Sequence, residues 1–492
     1  MYIARERVDM MKIPRCMSTQ HPDNVRSPFF SDHPEISGEE EIKEAYYVFS
    51  HFGVDEQMWD CEGKETDAYV VKKLLTDHKE YFCDNRLGED LFLTLRVPNP
   101  EVEKIEAKVL LETLETIPRS YDTAQQFYVS ERSPIFEVIL PMTTSGSSLN
   151  KIYEYYRDFV IGKEDKTFSD GTTIKDWIGE FRPEKINVIP LIEDKNSMLN
   201  LDDIVGDYLN DKDIEKQRVF LARSDTAMNY GNVSAILLNK LALSEIEELG
   251  REMSVEMYPI IGMGSAPFRG NLKPGNIEEI TEGYPSVHTY TVQSSFKYDN
   301  PPDVVSEGVK KLKNNETGPP RKVDGEKSLD IIERYSKSYR KQVESLADVV
   351  NEVARYVPKR RKRKLHVGLF GYSRQMRGVR LPRAITFTAS LYSVGVPPEL
   401  LGLNSLEEKD MEYISEVYVN FDKDLKDALQ YVNTDSPYLP DVLEKTVEEI
   451  GMDLEVDREH KAVTDKIIDA LGDKEDVTEQ VVKAADIRGF LG

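Results

Sequence analysis

The sequence predicts an α/β fold: a parallel sheet with crossover helices, and enough candidate strands to close a (β/α)8 barrel. Three observations lead there. Short runs rich in Val, Ile, Leu, Phe and Tyr, mostly apolar on both faces, recur along the first 370 residues of the chain. Charge-laced segments with helical periodicity lie between them, the alternation that βα units require. Polar or charged residues recur where the apolar runs end, the place where parallel α/β folds carry their chemistry.

In chain order the strand-like runs are VDEQMW (54–59), LFLTLRVP (91–98), IFEVILP (135–141), INVIPLIE (186–193), RVFLARSD (218–225), MYPIIGMG (257–264), VHTYTVQ (287–293) and LHVGLF (365–370). Pro, Gly, Asn or Asp bound most of them, as strands that stop abruptly require. NLDDIVGDYLNDKDIEKQ (200–217) and SAILLNKLALSEIEELGREM (234–253) read as helices between strands. Residues 297–327 are rich in Pro, Gly and charge and read as a long exposed loop with one helical turn. The end of the chain after Pro398 reads as several amphipathic helices. The whole is expected to be one catalytic barrel domain, with its core over roughly 50–400 and helical extensions at both ends.

Charge narrows the function. The 492 residues carry a formal net charge of −25, with 39% hydrophobic and 31% charged residues, a folded rather than a disordered composition. No apolar stretch approaches the ~18 residues a membrane span needs, and MYIARERVDMMK has no signal-peptide core. Three cysteines without zinc spacing (Cys16, Cys61, Cys83) suit a reducing cytoplasm. So acidic a surface is a poor partner for nucleic acid or an anionic membrane. The acidity is uneven, however. Residues 399–492 hold 25 acidic and 10 basic residues, whereas 358–384 hold ten basic residues and no acidic one. Cations concentrated in an acidic chain imply a local anion site. The Lys359–Lys364 run within that stretch reads more readily as a solvated or paired loop than as an effector or nucleic-acid site.

Phosphate-loop, dinucleotide, HExxH and nucleophile-elbow motifs are all absent. A carboxylate pair stands out instead. Glu193 and Asp225 end successive strand-like runs, where two carboxylates can share one hard cation, Mg²⁺ or Mn²⁺. The bland alternative is that each caps the helix that follows. The GMGSAPFRGN turn (262–271) combines glycines, which admit close backbone approach, with Arg269, a planar fork for carboxylate or phosphate. In MSTQHPDN (17–24), His21 precedes Pro22 and so lies in extended or turn backbone. Arg96, Thr143, Gln293 and Ser373 complete the polar residues at run ends.

Taken together, MSTQHPDN, MWDCEGKETD (58–67), LTLRVPNP (93–100), PLIEDKNSML (190–199), LARSDTAMNYG (221–231), IIGMGSAPFRG (260–270), TVQSSFKYD (291–299) and GYSRQMRGVRLPRAITFTASLYSVGVPPELLG (371–402) resemble the archaeal-type phosphoenolpyruvate carboxylases. The resemblance implies a (β/α)8 barrel with additional helices. It also implies carboxylation of phosphoenolpyruvate by bicarbonate, giving oxaloacetate and phosphate, in a homotetramer. By that resemblance Glu193 and Asp225 match the metal carboxylates, and His21 matches the histidine that handles a proton. Arg96 and Arg383 match arginines on the substrate phosphate, Arg269 the arginine near the bicarbonate-derived group, and Arg374 a further arginine close by.

Two departures remove positive charge. The longer bacterial and plant enzymes carry a Lys where this chain has Met228, and an Arg where it has Met263. Arg223, or the arginines of 374–380, are the candidates to replace them. The alternatives are another Mg²⁺-dependent barrel acting on phosphoenolpyruvate (a mutase, hydrolase or lyase) and an inactive barrel acting as a structural subunit.

Overall fold

The computed structural model describes residues 12–61, 67–128, 132–362, 374–376, 379–450 and 455–492. Its centre is a closed barrel of eight strands in sequential order, every neighbouring pair parallel. The strands are β1 (Cys16–Ser18), β2 (Glu56–Asp60), β3 (Phe92–Arg96), β4 (Glu137–Leu140), β5 (Asn187–Ile192), β6 (Lys216–Ala222), β7 (Glu256–Gly262) and β8 (Thr289–Val292).

Seven strands fall on predicted runs. The eighth does not: the barrel closes through β1, whose Cys16, Met17 and Ser18 pair with Tyr290, Thr291 and Val292 of β8. Three residues are too few to show a period, and the MSTQ sequence looks like a loop, so the sequence hides this strand. The run 365–370 lies outside the described residues, and the barrel closes without it. The eight barrel strands lie between residues 16 and 292.

Helices cross between strands as βα units demand, the longest being Ala107–Tyr128 and Asn232–Met253. The second buries Ile236, Leu243, Ile246 and Leu249, the apolar stripe that periodicity predicted. Segment 297–327 is a correction: it contains a full helix, Pro302–Asn314, not a single turn. Pro302 is tolerated in a first turn, where its missing N–H costs nothing. Val305, Val309 and Leu312 then bury one face. After Pro398 come the expected amphipathic helices, at Glu408–Val417, Phe421–Leu429, Asp441–Ile450, Arg458–Gly472 and Thr478–Arg488. No helix among the described residues is long and apolar enough to cross a membrane.

The barrel interior is filled in two layers below the site. At the strands' amino-terminal end Arg218 of β6 reaches Glu56 of β2 through two 2.7 Å bonds and Glu137 of β4 at 3.0 Å. Strands β2 and β6 are not neighbours, so this pair spans the interior. Thr94 and Thr289 join the network. Above it, Met17, Met58, Ile139, Ile189, Leu191, Phe220, Ala222 and Ile260 form an apolar layer. Side chains stacked in layers make such a barrel a packed core rather than a pore. The apolar layer is the floor on which the site rests.

Candidate active site

A cavity of about 630 Å³ opens above that floor, at the carboxyl ends of the strands. Met58, Leu191, Phe220, Ala222 and Gly262 line it, as do His21, Arg96, Glu193, Arg223, Asp225, Arg269, Gln293 and Arg383. Eight of the eleven residues singled out from sequence are thus brought to one space, across more than 350 positions of chain.

Glu193 follows directly on β5, and Asp225 lies in the first turn of the helix Ser224–Tyr230 after β6. Neither caps a helix. Asp194, next to Glu193, caps the helix Lys195–Leu199 by accepting from the N–H groups of Asn196 and Ser197. Arg223 occupies the cap position before Ser224 and makes no side-chain cap bond. The bland alternative for the pair therefore fails. Thr226 ties the two strand ends together, its hydroxyl 2.9 Å from the carbonyls of both Glu193 and Ala222. Among the described residues no third His, Cys, Asp or Glu groups with them. Two carboxylates suit a hard divalent cation that keeps its other positions for water or substrate oxygens.

Arg96 is the last residue of β3 and pairs in register with Asp60, the last of β2. Asp60 takes one edge of the guanidinium through two 3.1 Å bonds. This buried pair escaped the sequence reading because the predicted run stopped at Trp59, one residue short. Arg383 precedes the helix Ala384–Ser393, and Ala384, Ile385 and Thr386 line the wall beside it. A helix's first turn carries unpaired N–H groups and the positive end of its dipole, so this wall favours anions.

Arg269 sits in a 3₁₀ turn, Pro267–Arg269, within the glycine-rich loop. Two glycines are required there. A Cβ on Gly264 would stand 2.8 Å from the Arg269 guanidinium, and Gly270 has φ +118°, which side chains rarely adopt. Arg269 is 1% exposed and donates to Ser224 Oγ, Asp23 Oδ2, the Gly492 carbonyl and Gln293 Oε1. With five N–H groups in all, one on Nη2 is left without a partner among the described residues. Burial works against both charges of its pair with Asp23, raising the carboxyl and lowering the guanidinium, and each partner's charge opposes that. The site therefore receives a fixed positive charge and one donor, not an open fork. Asp23 was missed from sequence because a carboxylate two residues after a histidine carries no periodic signal.

His21 lines the cavity on the turn that follows β1. Its Nδ1 lies 2.9 Å from Thr19 Oγ1, and its carbonyl accepts from the N–H of Ser294, 3.2 Å away.

Met228 and Met263, the departures from the longer enzymes, are both fully buried in the hydrophobic core. Arg223 is 2% exposed, and its Nη groups donate to the Phe268 carbonyl and to Asn232 Oδ1. It thus offers the cavity charge while clamping the glycine-rich loop. Arg223→Lys is expected to keep more than half of the wild-type kcat/KM for the anionic substrate if charge alone matters. A clamp predicts a loss of about 10-fold with either Lys or Ala, since charged hydrogen bonds contribute about 1.5–3 kcal/mol. Steady-state kinetics of both variants decides, and unchanged kinetics in Arg223→Ala would remove the residue from the site.

The remaining predicted residues divide. Gln293 joins the site through Arg269. Thr143 is fully buried and its hydroxyl donates to the Leu140 carbonyl, a turn role. Arg374 begins β9 (Arg374–Met376), which pairs antiparallel with β10 (Val379–Leu381); its side chain, like Ser373 and residues 62–66, lies outside the described residues.

Comparison with known proteins bears on the chain as a whole. A family model described as phosphoenolpyruvate carboxylase matches residues 13–492. The phosphoenolpyruvate carboxylase of Methanothermobacter thermautotrophicus is 60% identical over 98% of this chain and 100% of its own length. Those of Methanospirillum hungatei and Pyrococcus abyssi are 53% and 49% identical, each over 98% of this chain and 100% of their own. Among solved structures, a Haloferax volcanii malate synthase complex aligns at 12% identity with a TM-score of 0.38, over 68% of this chain and 85% of that one. That likeness is too slight to carry an argument. The sequence relatives are not: with a family match over nearly the whole chain and relatives aligned end to end, this chain belongs to the phosphoenolpyruvate carboxylase family.

Proposed function

We propose that this protein carboxylates phosphoenolpyruvate with bicarbonate, giving oxaloacetate and phosphate. The observation that carries the reading is the convergence of His21, Glu193, Asp225, Arg96, Arg223, Arg269 and Arg383 on one cavity in a chain of this family.

Arg96 and Arg383 grip the substrate phosphate, where positioning rather than covalent protein chemistry supplies the rate. Bicarbonate oxygen attacks phosphorus and the enol oxygen leaves, forming carboxyphosphate and the enolate of pyruvate. A divalent cation, Mg²⁺ or Mn²⁺, held by Glu193 and Asp225 would supply positive charge against the negative charge developing on the substrate. In the tautomer whose Nδ1–H donates to Thr19 Oγ1, 2.9 Å away, His21 keeps its lone pair on Nε2. There it takes the carboxyl proton of carboxyphosphate, so that the C–O bond to phosphate breaks and CO₂ is released beside the enolate. The enolate carbon then bonds to CO₂, and the proton passes to phosphate. The apolar floor of Met58, Leu191 and Phe220 excludes water that would protonate the enolate to pyruvate. A homotetramer and a cytoplasmic location, suggested by family resemblance and the scarcity of cysteine, belong to the same proposal; light scattering tests the first.

A coupled oxaloacetate assay with phosphoenolpyruvate, Mg²⁺ and bicarbonate tests the function. Glu193→Ala is expected to abolish measurable turnover. Chelation should do the same to the wild type, and Mg²⁺ or Mn²⁺ should restore it. Turnover that ignored bicarbonate, or survived Glu193→Ala, would overturn the reading and favour the mutase, hydrolase or lyase alternatives.

A further inference from the structure

The basic run Lys359–Lys364 is a sequence feature that the proposed chemistry leaves unused. In its described part, residues 359–362, Lys359 and Lys362 are exposed while Arg360 and Arg361 turn inward, and Lys359, Arg360 and Arg361 border the cavity. Arg361 is 3% exposed and donates to Glu41 at 2.9 Å and to both oxygens of Glu44 at 3.0 and 2.7 Å, all within this chain. Both acids lie on the helix Glu39–Ser50. The backbone is fastened too: Ile36 donates to the Arg360 carbonyl, and Lys362 donates to the Ile36 carbonyl, each at 3.0 Å. Successive side chains of extended backbone point to opposite sides. Arg360 accordingly reaches the other way, its Nε and Nη2 donating to the carbonyls of Asn24 and Val25 at 3.2 and 2.5 Å.

Those two carbonyls belong to the turn that carries His21. The same turn is tied to Glu44 from its other end. Glu44 accepts from Gln20 Nε2 at 3.3 Å and from Lys297, which also donates to Ser18 Oγ and the Thr19 carbonyl. Burial alone would raise the Glu44 carboxyl, but Arg361, Lys297 and the Tyr298 hydroxyl hold it below the usual range. One buried carboxylate thus anchors both the strap and the start of the turn, and Arg360 closes the loop between them.

We infer that Arg360 is a positioning residue for His21, and that residues 360–362 form a strap which fixes the His21 turn against the cavity. The inference rests on the proposed role of His21 in proton transfer. Only three residues separate His21 from Val25, and Pro22 between them has a fixed φ, so a shift at the two carbonyls carries through to the ring. Displacement of about 1 Å at a reacting group costs up to about 100-fold. Its effect falls on the step His21 serves and spares the phosphate grip of Arg96 and Arg383.

The test measures oxaloacetate and phosphate released in the same reaction, for wild type, Arg360→Met, Arg360→Lys and His21→Asn. Met keeps the apolar stem and removes the donors; Lys keeps the charge but cannot span two carbonyls as a fork does. In both Arg360 variants, oxaloacetate per phosphate is expected to fall at least about twofold, and oxaloacetate turnover about 10-fold. The KM for phosphoenolpyruvate should stay within about twofold, because the proposed phosphate contacts of Arg96 and Arg383 are kept. If Arg360→Met does not fold, Arg360→Lys reads the same ratio. An unchanged ratio in a folded Arg360 variant, alongside a lowered ratio in His21→Asn, would overturn the inference alone. A raised KM in Arg360→Met that Lys restores, with the ratio unchanged, would make Arg360 a substrate cation instead. An unchanged ratio in His21→Asn would overturn the role of His21 itself, and with it the strap's purpose.

Discussion

His21→Asn is expected to reduce oxaloacetate formation by about 10²- to 10⁴-fold, the range general acid–base catalysis contributes. Bicarbonate-dependent release of phosphate should fall much less. The asymmetry follows from the order of steps. In the proposed mechanism, attack of bicarbonate on phosphorus depends on Arg96, Arg383 and the Glu193–Asp225 pair, and none of these is changed. Proton removal from carboxyphosphate comes afterwards in that order and falls to His21. Asn is close in size and can still donate to Thr19, so the turn stays in place while the base is lost. Phosphate would then appear with pyruvate rather than oxaloacetate, because an uncaptured enolate takes a proton. Parallel measurement of oxaloacetate, pyruvate and phosphate reads this directly. Equal loss of oxaloacetate and phosphate would place His21 in the first step or outside the mechanism.

Arg218→Met should produce the largest loss of stability, about 3–5 kcal/mol, because it breaks a buried ion network by removing one partner. Arg218 is 1% exposed, Glu56 is fully buried, and Glu137 lies beside them. Burial disfavours the charge on Arg218, yet Glu56 and Glu137 together hold its pKa above the ordinary value. Burial raises the Glu137 carboxyl even with the arginine present, so without it the folded-state pKa rises further. A carboxyl whose folded pKa exceeds its unfolded one is relatively stabilised when protonated, and that stability is lost as pH rises through the folded value. The deficit of Arg218→Met should therefore be largest at neutral pH and shrink as pH is lowered towards about 5. Urea unfolding at both pH values tests this. A deficit that did not change with pH would assign the cost to packing rather than to uncompensated charge.

The network also accounts for what the sequence could not say about the barrel floor. EQMWD, EVIL and KQRVFLA each place a charged residue where a buried strand is expected to be apolar. Taken alone, each reads as an exposed strand end. Only closure of the sheet brings Glu56, Glu137 and Arg218 into one interior layer, where each satisfies another.

The site was legible to a similar extent. Glu193, Asp225, Arg96 and Arg269 stand at strand ends or in a glycine-rich turn, so strand pattern and residue chemistry mark them before any fold is known. His21 and Arg383 carry no such local mark and were found through family resemblance alone. Asp60, Asp23 and Glu44, which hold the catalytic candidates in place, were not found. Their partners lie 36, 246 and up to 317 positions away, and no sequence period connects residues so far apart.

The sequence by itself determined the fold class, seven of the eight strands, the crossover helices and the chemical types at the strand ends. These depend on local hydrophobic period and on turn residues, which act within a few positions. Tertiary structure alone decided that Cys16–Ser18 closes the barrel and that Arg360 and Arg361 turn inward, onto the His21 turn and the helix Glu39–Ser50. It also decided that the Arg269 fork is largely engaged by the protein itself. Each is a matter of which groups a closed barrel brings within about 3 Å, and hydrogen bonds and ion pairs form at that distance whatever the separation along the chain.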